Sequence, residues 1–189
     1  MEYLDIVDEF GNPTGEIIER NIAHAKGILH RTSHVWLFRQ QDGDLEILLQ
    51  KRSKDKDSFP GCFDISSAGH IPTGVDFVTS ALRELKEELG VVATEEDLYL
   101  CGQRRIHYER IFYGKRFVDN QVSNIYILFI NQEAKEFVIQ ESELEEVIWL
   151  RFSECMNSIR DNTIKHCIMI EELEILEKAL LQYSHTVSE

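Results

Sequence analysis

An α+β fold, in which a sheet and helices pack as a sandwich, is what this sequence predicts, and three observations carry the expectation. Apolar runs of strand length and amphipathic runs of helix length follow one another without the regular alternation of a doubly wound sheet. Strand-length runs are joined through glycine-containing turns, the mark of antiparallel neighbours. The 189 residues lie in the range of one ordinary domain, and no linker tract or internal repeat divides them.

Residues 3–18 read as a hairpin, because DIVDE and EIIE flank the turn-rich GNPTG. ERNIAHAKG is a short helix stopped at Gly27. VWLF, QQDGD and LEILLQKR make two strands about an Asp-Gly turn. SKDKDSFPG is then a polar loop, and FDISSAG a short strand running to Gly69. Residues 76–89 place Val78, Ala81, Leu82, Leu85 and Leu89 at helical spacing, with Asp76 as N-cap and Gly90 just past the end. DLYLCGQRRIHYE and FVDNQVSNIYILFI are strands about a turn near Tyr113-Gly114, and EEVIWLRF is a further strand. The tail (about 153–183) divides into a short helix around Ser153 to Ser158 and a longer one from about Lys165 to Tyr183. Cys167, Ile168, Ile170, Leu173, Leu176 and Leu180 give that longer helix an apolar side, expected to face the core rather than a second subunit.

Composition narrows the function. With 43% hydrophobic and 29% charged residues the chain is globular, neither disordered nor collagen-like. Its 34 acidic residues against 20 basic ones leave a formal charge of −14, which argues against a nucleic-acid polymer as partner and requires local neutralisation of any anionic ligand. No stretch approaches the roughly 18 apolar residues of a membrane span, and MEYLDIVDEFGNPTGE has no basic-then-apolar leader, so a cytoplasmic protein is expected. Cys62, Cys101, Cys155 and Cys167 are scattered and read as free, buried thiols.

On an ideal helix Glu84, Glu87 and Glu88 fall within about 100° of arc, away from the apolar side. As bare charges, the pairs three and four residues apart repel. A hard divalent cation converts that repulsion into coordination, and Mg²⁺, which takes oxygen ligands and shares its waters with phosphates, suits the set; Mn²⁺ suits it too. Arg83, one turn before Glu87, is placed to orient that carboxylate. The loop GHIPTG ahead of the helix lets backbone approach a ligand closely. Taken alone, three glutamates on one face are better read as a solvated surface.

The flanks decide between these readings. The string of Gly69, thirteen residues, then Arg83-Glu84-Leu85-Lys86-Glu87-Glu88-Leu89-Gly90-Val91 resembles the signature of the Nudix hydrolases. It departs from the family at Val75, where the first glutamate of the motif usually stands; Asp76 follows directly and is better read as the helix cap. The resemblance implies an α/β/α sandwich with a mixed central sheet, taken here as one domain over 1–189 with its motif at 69–91. It also implies divalent-metal-dependent hydrolysis of a diphosphate bond, in a nucleoside diphosphate linked to another moiety or a related organic diphosphate. The metal would sit on Glu84, Glu87 and Glu88, with Glu84 and Glu87 catalytic, and the partner would be a small molecule met by a monomer or homodimer.

Likeness extends over roughly residues 3–151 to the branch similar to isopentenyl-diphosphate isomerase, through DIVDEFGNPTG, GILHRTSHVWLF, LLQKRS, SFPGCFDIS and AGHI. In that branch the position of Arg52 faces the diphosphate and that of His70 binds metal, which makes Arg52, Gly69 and His70 substrate-binding candidates and Arg83 an orienting one. His30 is a weaker ligand candidate; His24 and His34 are expected to be structural or solvent-facing. The isomerases of that branch use a cysteine immediately before Gly-His and a glutamate on a later strand, and here Ala68 stands at the cysteine position with no proton to give. Hydrolysis is therefore favoured over isomerisation, with a non-catalytic ligand-binding module as the third reading. The general base is sought among the helix glutamates or at Glu143 or Glu145 in the acidic ESELEEVIWL. Arg104, Arg105 and Arg110, interleaved with His107, Tyr108 and Phe112, read either as a ligand contact or as a charge-protected strand edge.

Overall fold

The computed structural model describes residues 1–186. β1 (Tyr3–Val7) and β2 (Pro13–Glu19) form the expected antiparallel hairpin, and α1 (Arg20–Lys26) ends on Gly27 in the left-handed conformation. β3 (His30–Gln41) and β4 (Asp44–Arg52) turn through Asp42 and Gly43, both at positive φ, the geometry whose twist matches that of the flanking strands. β5 (Phe63–Asp64), β6 (Ser67–His70), β7 (Tyr99–Phe112), β8 (Lys115–Phe129) and β9 (Leu144–Arg151) complete the sheets. The main sheet runs β5-β4-β3-β8-β7, with β6 added on β3 and β9 on β4. β3 and β8 are parallel and the other pairs antiparallel, so the sheet is mixed.

The sheet forks beside β3. Its first half, Thr32–Val35, pairs with β6, whereas its end, Phe38–Gln41, pairs with β4. FDISSAG, expected as one strand, is consequently split into β5 on β4 and β6 on β3. Ser66 sits in the fork, its buried hydroxyl donating to the Leu48 carbonyl at 2.6 Å and accepting from the Leu37 amide at 2.9 Å. A side chain thus satisfies backbone groups that the diverging strands leave without a ladder partner.

Alternation along β3 sends Val35 and Leu37 to one face and Trp36 and Phe38 to the other. The first pair packs with Ala81, Leu85 and Leu89 of α2 (Phe77–Leu89); the second packs with α3 (Phe152–Arg160) and α4 (Ile170–Thr186). This is a sandwich of helix, mixed sheet and helices. The α2 boundaries follow from their caps: Asp76 accepts from the Thr79 amide at 2.8 Å, and Gly90 is left-handed. The last helix starts later than its apolar spacing predicts. Residues 165–167 run alongside β5 instead, with Phe63 donating to the Lys165 carbonyl and Cys167 to that of Phe63. Leu173 and Leu176 are fully buried, so the stripe of α4 faces the core as expected.

Candidate functional site

α2 crosses β6 with the Glu84 side chain laid directly over Gly69. A Cβ on Gly69 would lie 2.3 Å from Cδ of Glu84, although the Gly69 backbone itself is ordinary. One turn on, Glu88 is buried and accepts from the Ser67 hydroxyl at 2.9 Å. Burial, reinforced by the charge of Glu84, pushes the Glu88 carboxyl up to about 8, and burial raises Glu84 as well. Glu87 is exposed at the rim. Arg83 holds Glu84 rather than Glu87: its Nη2 meets Glu84 directly, whereas Glu87 stands 4.0 Å from Nη1. Adjacent side chains can therefore pair here because Glu84 is drawn back toward the sheet.

The three glutamates, Gly69 and His70 line a cavity of about 280 Å³. Glu143, from the loop before β9, enters the same cavity and pairs with Lys56. Glu145 instead pairs with Lys51 and Lys54 at 3.4 and 3.5 Å, outside the cavity. Arg52 lines a neighbouring chamber rather than this cavity, with donors committed to Asp64 at 2.9 Å and to Ser58. Arg20 and Lys56 are cationic side chains that line both spaces. Lys56 belongs to the basic KDKD tract, whereas Arg20 does not stand out in sequence, because α1 and the loop after β4 meet only in the fold.

A second constellation joins His24 of α1, His30 at the start of β3 and His70 at the end of β6, one ring nitrogen from each lying within 4.8 Å of the others. His24 Nδ1 donates to the Val118 carbonyl at 3.2 Å and His30 Nδ1 to that of Ile28 at 2.8 Å. Those carbonyls set both tautomers and leave lone pairs on the Nε2 atoms. His24 Nε2 lies 3.0 Å from His70 Nε2, and the buried His30 Nε2 has no hydrogen-bond partner. Burial lowers all three pKa values, that of His24 to about 4, so the imidazoles are neutral. Three neutral nitrogen donors around an unsatisfied point form a set able to hold a cation. His24, expected to be structural, belongs to this set; its six-residue spacing from His30 is a signal that acquires meaning only when β6 brings His70 alongside.

His34 is buried, donating from Nδ1 to Glu172 at 2.8 Å, and that carboxylate raises its pKa against the cost of burial. The basic and aromatic patch of β7 divides by strand alternation: Arg104 and Tyr108 line the chamber, whereas Arg105 and His107 are exposed. Among the described residues no helix is long and apolar enough to cross a membrane.

Comparison with known proteins adds the following. The NUDIX domain model matches residues 29–169. An Arabidopsis thaliana protein named Nudix hydrolase 3 is 36% identical over 161 residues, covering 82% of this chain; the match spans 20% of that longer protein. An uncharacterized Nudix hydrolase of Clostridium acetobutylicum is 34% identical over 163 residues, covering 86% of this chain and 76% of its own length. A solved structure from Deinococcus radiodurans shares the fold with a TM-score of 0.67 at 18% identity, covering 92% of this chain and 98% of the other.

Proposed function

This chain belongs to the Nudix hydrolase family, and from that premise we propose that it hydrolyses a diphosphate bond in a small organic diphosphate, with a divalent cation held by Glu84, Glu87 and Glu88. The observation that carries the reading is the pair Glu84 and Glu88, packed against β6 where burial disfavours both charges, the Glu84 charge adding to the cost at Glu88 and the Glu87 charge to that at Glu84. An all-oxygen donor set under that strain fits Mg²⁺, or Mn²⁺, and such a cation relieves the repulsion. Bound there, it would neutralise phosphate charge and lower the pKa of an attacking water.

The chain's own groups do the rest. Arg20 and Lys56 hold the non-bridging phosphate oxygens from the wall beside Gly69 and His70. Glu143 takes the proton of the water as its oxygen bonds to phosphorus, and the bridging P–O bond breaks toward the leaving phosphate. Lys56, already paired with Glu143, keeps that carboxylate aimed into the cavity. Glu84 and Glu87 would hold the cation, and Arg83 orients Glu84.

The histidine cluster serves as a second, softer cation locus for Zn²⁺, Mn²⁺ or Fe²⁺. Isomerisation is the weaker reading because Ala68 carries no acid, and Cys167, which does reach the chamber wall, directs its thiol at the Phe63 carbonyl. The four free cysteines suit a reducing compartment, and we place the protein in the cytoplasm as a monomer or homodimer.

The test is phosphate release from nucleotides, dinucleotides, nucleotide sugars, coenzyme A and prenyl diphosphates, with and without Mg²⁺, for wild type, Glu87→Gln and Glu143→Gln. Metal-dependent release that both variants lose supports the reading. No release from any compound, or isomerisation of a prenyl substrate instead, overturns it.

A further inference from the structure

The wall that carries Arg20, Lys56, Gly69 and His70 separates the glutamate cavity from a chamber of about 1220 Å³. With the diphosphate on that wall, the rest of the substrate has the chamber to fill. Its size exceeds the roughly 300–1,000 Å³ usual for small-molecule sites, so a bulky group fits.

The floor of the chamber is polar and internally connected. Tyr108 and Asp119 both line it, and Asp119 accepts from Gln121. The Thr32 hydroxyl donates to Gln121 at 3.1 Å and lies 3.3 Å from His34 Nε2. His34 and Arg104 both bond Glu172, at 2.8 and 3.0 Å. On the other side Arg52 pairs with Asp64 at 2.9 Å. Three elementary consequences follow. A hydrocarbon chain laid over this floor would strip water from groups it cannot hydrogen-bond. A charged headgroup finds the Arg104–Glu172 and Arg52–Asp64 charges already neutralised in pairs. A hydroxyl both donates and accepts, so it can meet the remaining carboxylate lone pairs and the Tyr108 oxygen alike.

Aromatic rings stand at the chamber wall. Phe59 adopts a left-handed φ of 49° and packs edge-on against Phe112 at 4.8 Å and Tyr108 at 6.0 Å. A ring surface beside hydrogen-bonding groups suits a group with apolar C–H faces and a polar rim.

We propose that the chamber takes a neutral polyhydroxylated headgroup, of glycosyl or ribosyl type, joined to the diphosphate, and that Tyr108 is a specificity residue reading its hydroxyls. The placement rests on the hydrolase reading, since that reading puts the diphosphate on the shared wall.

The experiment is isothermal titration of the full-length wild-type protein in Mg²⁺ with methylene-bridged analogues, which cannot be hydrolysed. UDP-glucose and ADP-ribose analogues are compared with those of UDP, ADP and geranyl diphosphate. The expected result is that at least one sugar tightens binding tenfold or more over its bare nucleoside diphosphate, and that the geranyl analogue binds at least tenfold more weakly than that sugar compound. The glucose and ribose arms tell the hexosyl and pentosyl sources apart. Tyr108→Phe is expected to reduce the gain from the sugar threefold or more. A geranyl analogue that binds as tightly as both sugar compounds, or no gain from either sugar, overturns the proposal. An unchanged gain in folded Tyr108→Phe overturns the role of Tyr108. The wild-type comparison needs no variant, so it stands even should Tyr108→Phe fail to fold. Turnover of the natural compounds is scored separately: selective binding without hydrolysis sinks the hydrolase reading alone, whereas hydrolysis with preference for the geranyl compound sinks the headgroup inference alone.

Discussion

Gly69→Ala tests whether the approach of α2 to β6 positions the reaction. The added Cβ would stand 2.3 Å from Cδ and 2.4 Å from Cγ and Oε1 of Glu84, about 1 Å short of ordinary contact. Gly69 does not occupy the left-handed region, so alanine brings no backbone strain. The obstacle is the far end of a flexible side chain, which can swing away. Glu84 therefore moves by about 1 Å and parts from Arg83, while the Leu85 and Leu89 packing is kept. Misplacement on that scale costs about 100-fold in rate, whereas overpacking relieved by one side chain costs about 1 kcal/mol of stability. The assay is kcat/KM on a substrate found in the diphosphate panel, beside thermal unfolding and Mg²⁺ affinity. Gly27→Ala is the contrasting variant: its Cβ would meet Val118 at 2.8 Å with φ at 69°, so it should lose stability first. A Gly69→Ala protein with kcat/KM within threefold of wild type would falsify the positioning argument.

Two further outcomes follow from the same geometry. Glu88 has a carboxyl raised to about 8 against an ordinary value near 4.5, so the folded state binds its proton more tightly than the unfolded state and stability drains away as pH rises between those values. In EDTA, wild type should lose stability relative to Glu88→Gln from pH 5 to pH 8, by up to about 1.4 kcal/mol per pH unit, and Mg²⁺ should flatten the difference; urea unfolding reads it, and parallel curves in EDTA would refute the assignment. The histidine cluster should take up about one Zn²⁺ per chain in metal analysis after dialysis, and His30→Ala should lose it; equal retention by the variant would remove the cluster as a cation site.

What the chain announces ahead of its fold is chemistry local in sequence. Asp76 caps α2 through Thr79 three residues on, the Asp42-Gly43 turn closes its hairpin with both residues at positive φ, and the helical period of Ala81, Leu85 and Leu89 gathers three glutamates on the opposite side. Each signal lies within one element. Those that failed depend on elements distant in sequence. Ser66 splits the expected strand because it must satisfy both Leu37 and Leu48. Glu143 and Glu145 look alike in an acidic run, yet only Glu143 reaches Lys56 and the glutamate cavity. His24 becomes a candidate ligand once α1, β3 and β6 converge. Arg83, expected on Glu87 by helical spacing, pairs with Glu84 because the sheet draws that side chain inward.

Val75 raises the question of what steadies the loop before α2 when the family's usual glutamate is missing, and the N-terminal hairpin supplies an answer. Asp5 of β1 accepts from Thr73 Oγ1 at 2.6 Å, from the Gly74 amide at 3.1 Å and from Arg31 at 2.8 Å, while the same Arg31 nitrogen donates to the Val75 carbonyl at 2.9 Å. A carboxylate is thus present beside this loop, brought by a different part of the chain. Arg31 is buried, and its Nε already lacks a partner, so Asp5→Ala leaves an uncompensated charge. Removing one member of such a buried pair costs about 3–5 kcal/mol. Val75→Glu places a new carboxylate on a residue whose backbone already touches Arg31. It should add little alone and recover at least a third of the loss when combined with Asp5→Ala, because only then is Arg31 short of an acid. Urea denaturation of the four proteins in a double-mutant cycle measures the coupling. Simple additivity, with the double variant as unstable as the two single effects together, would mean that Asp5 anchors the hairpin and does not stand in for the missing glutamate.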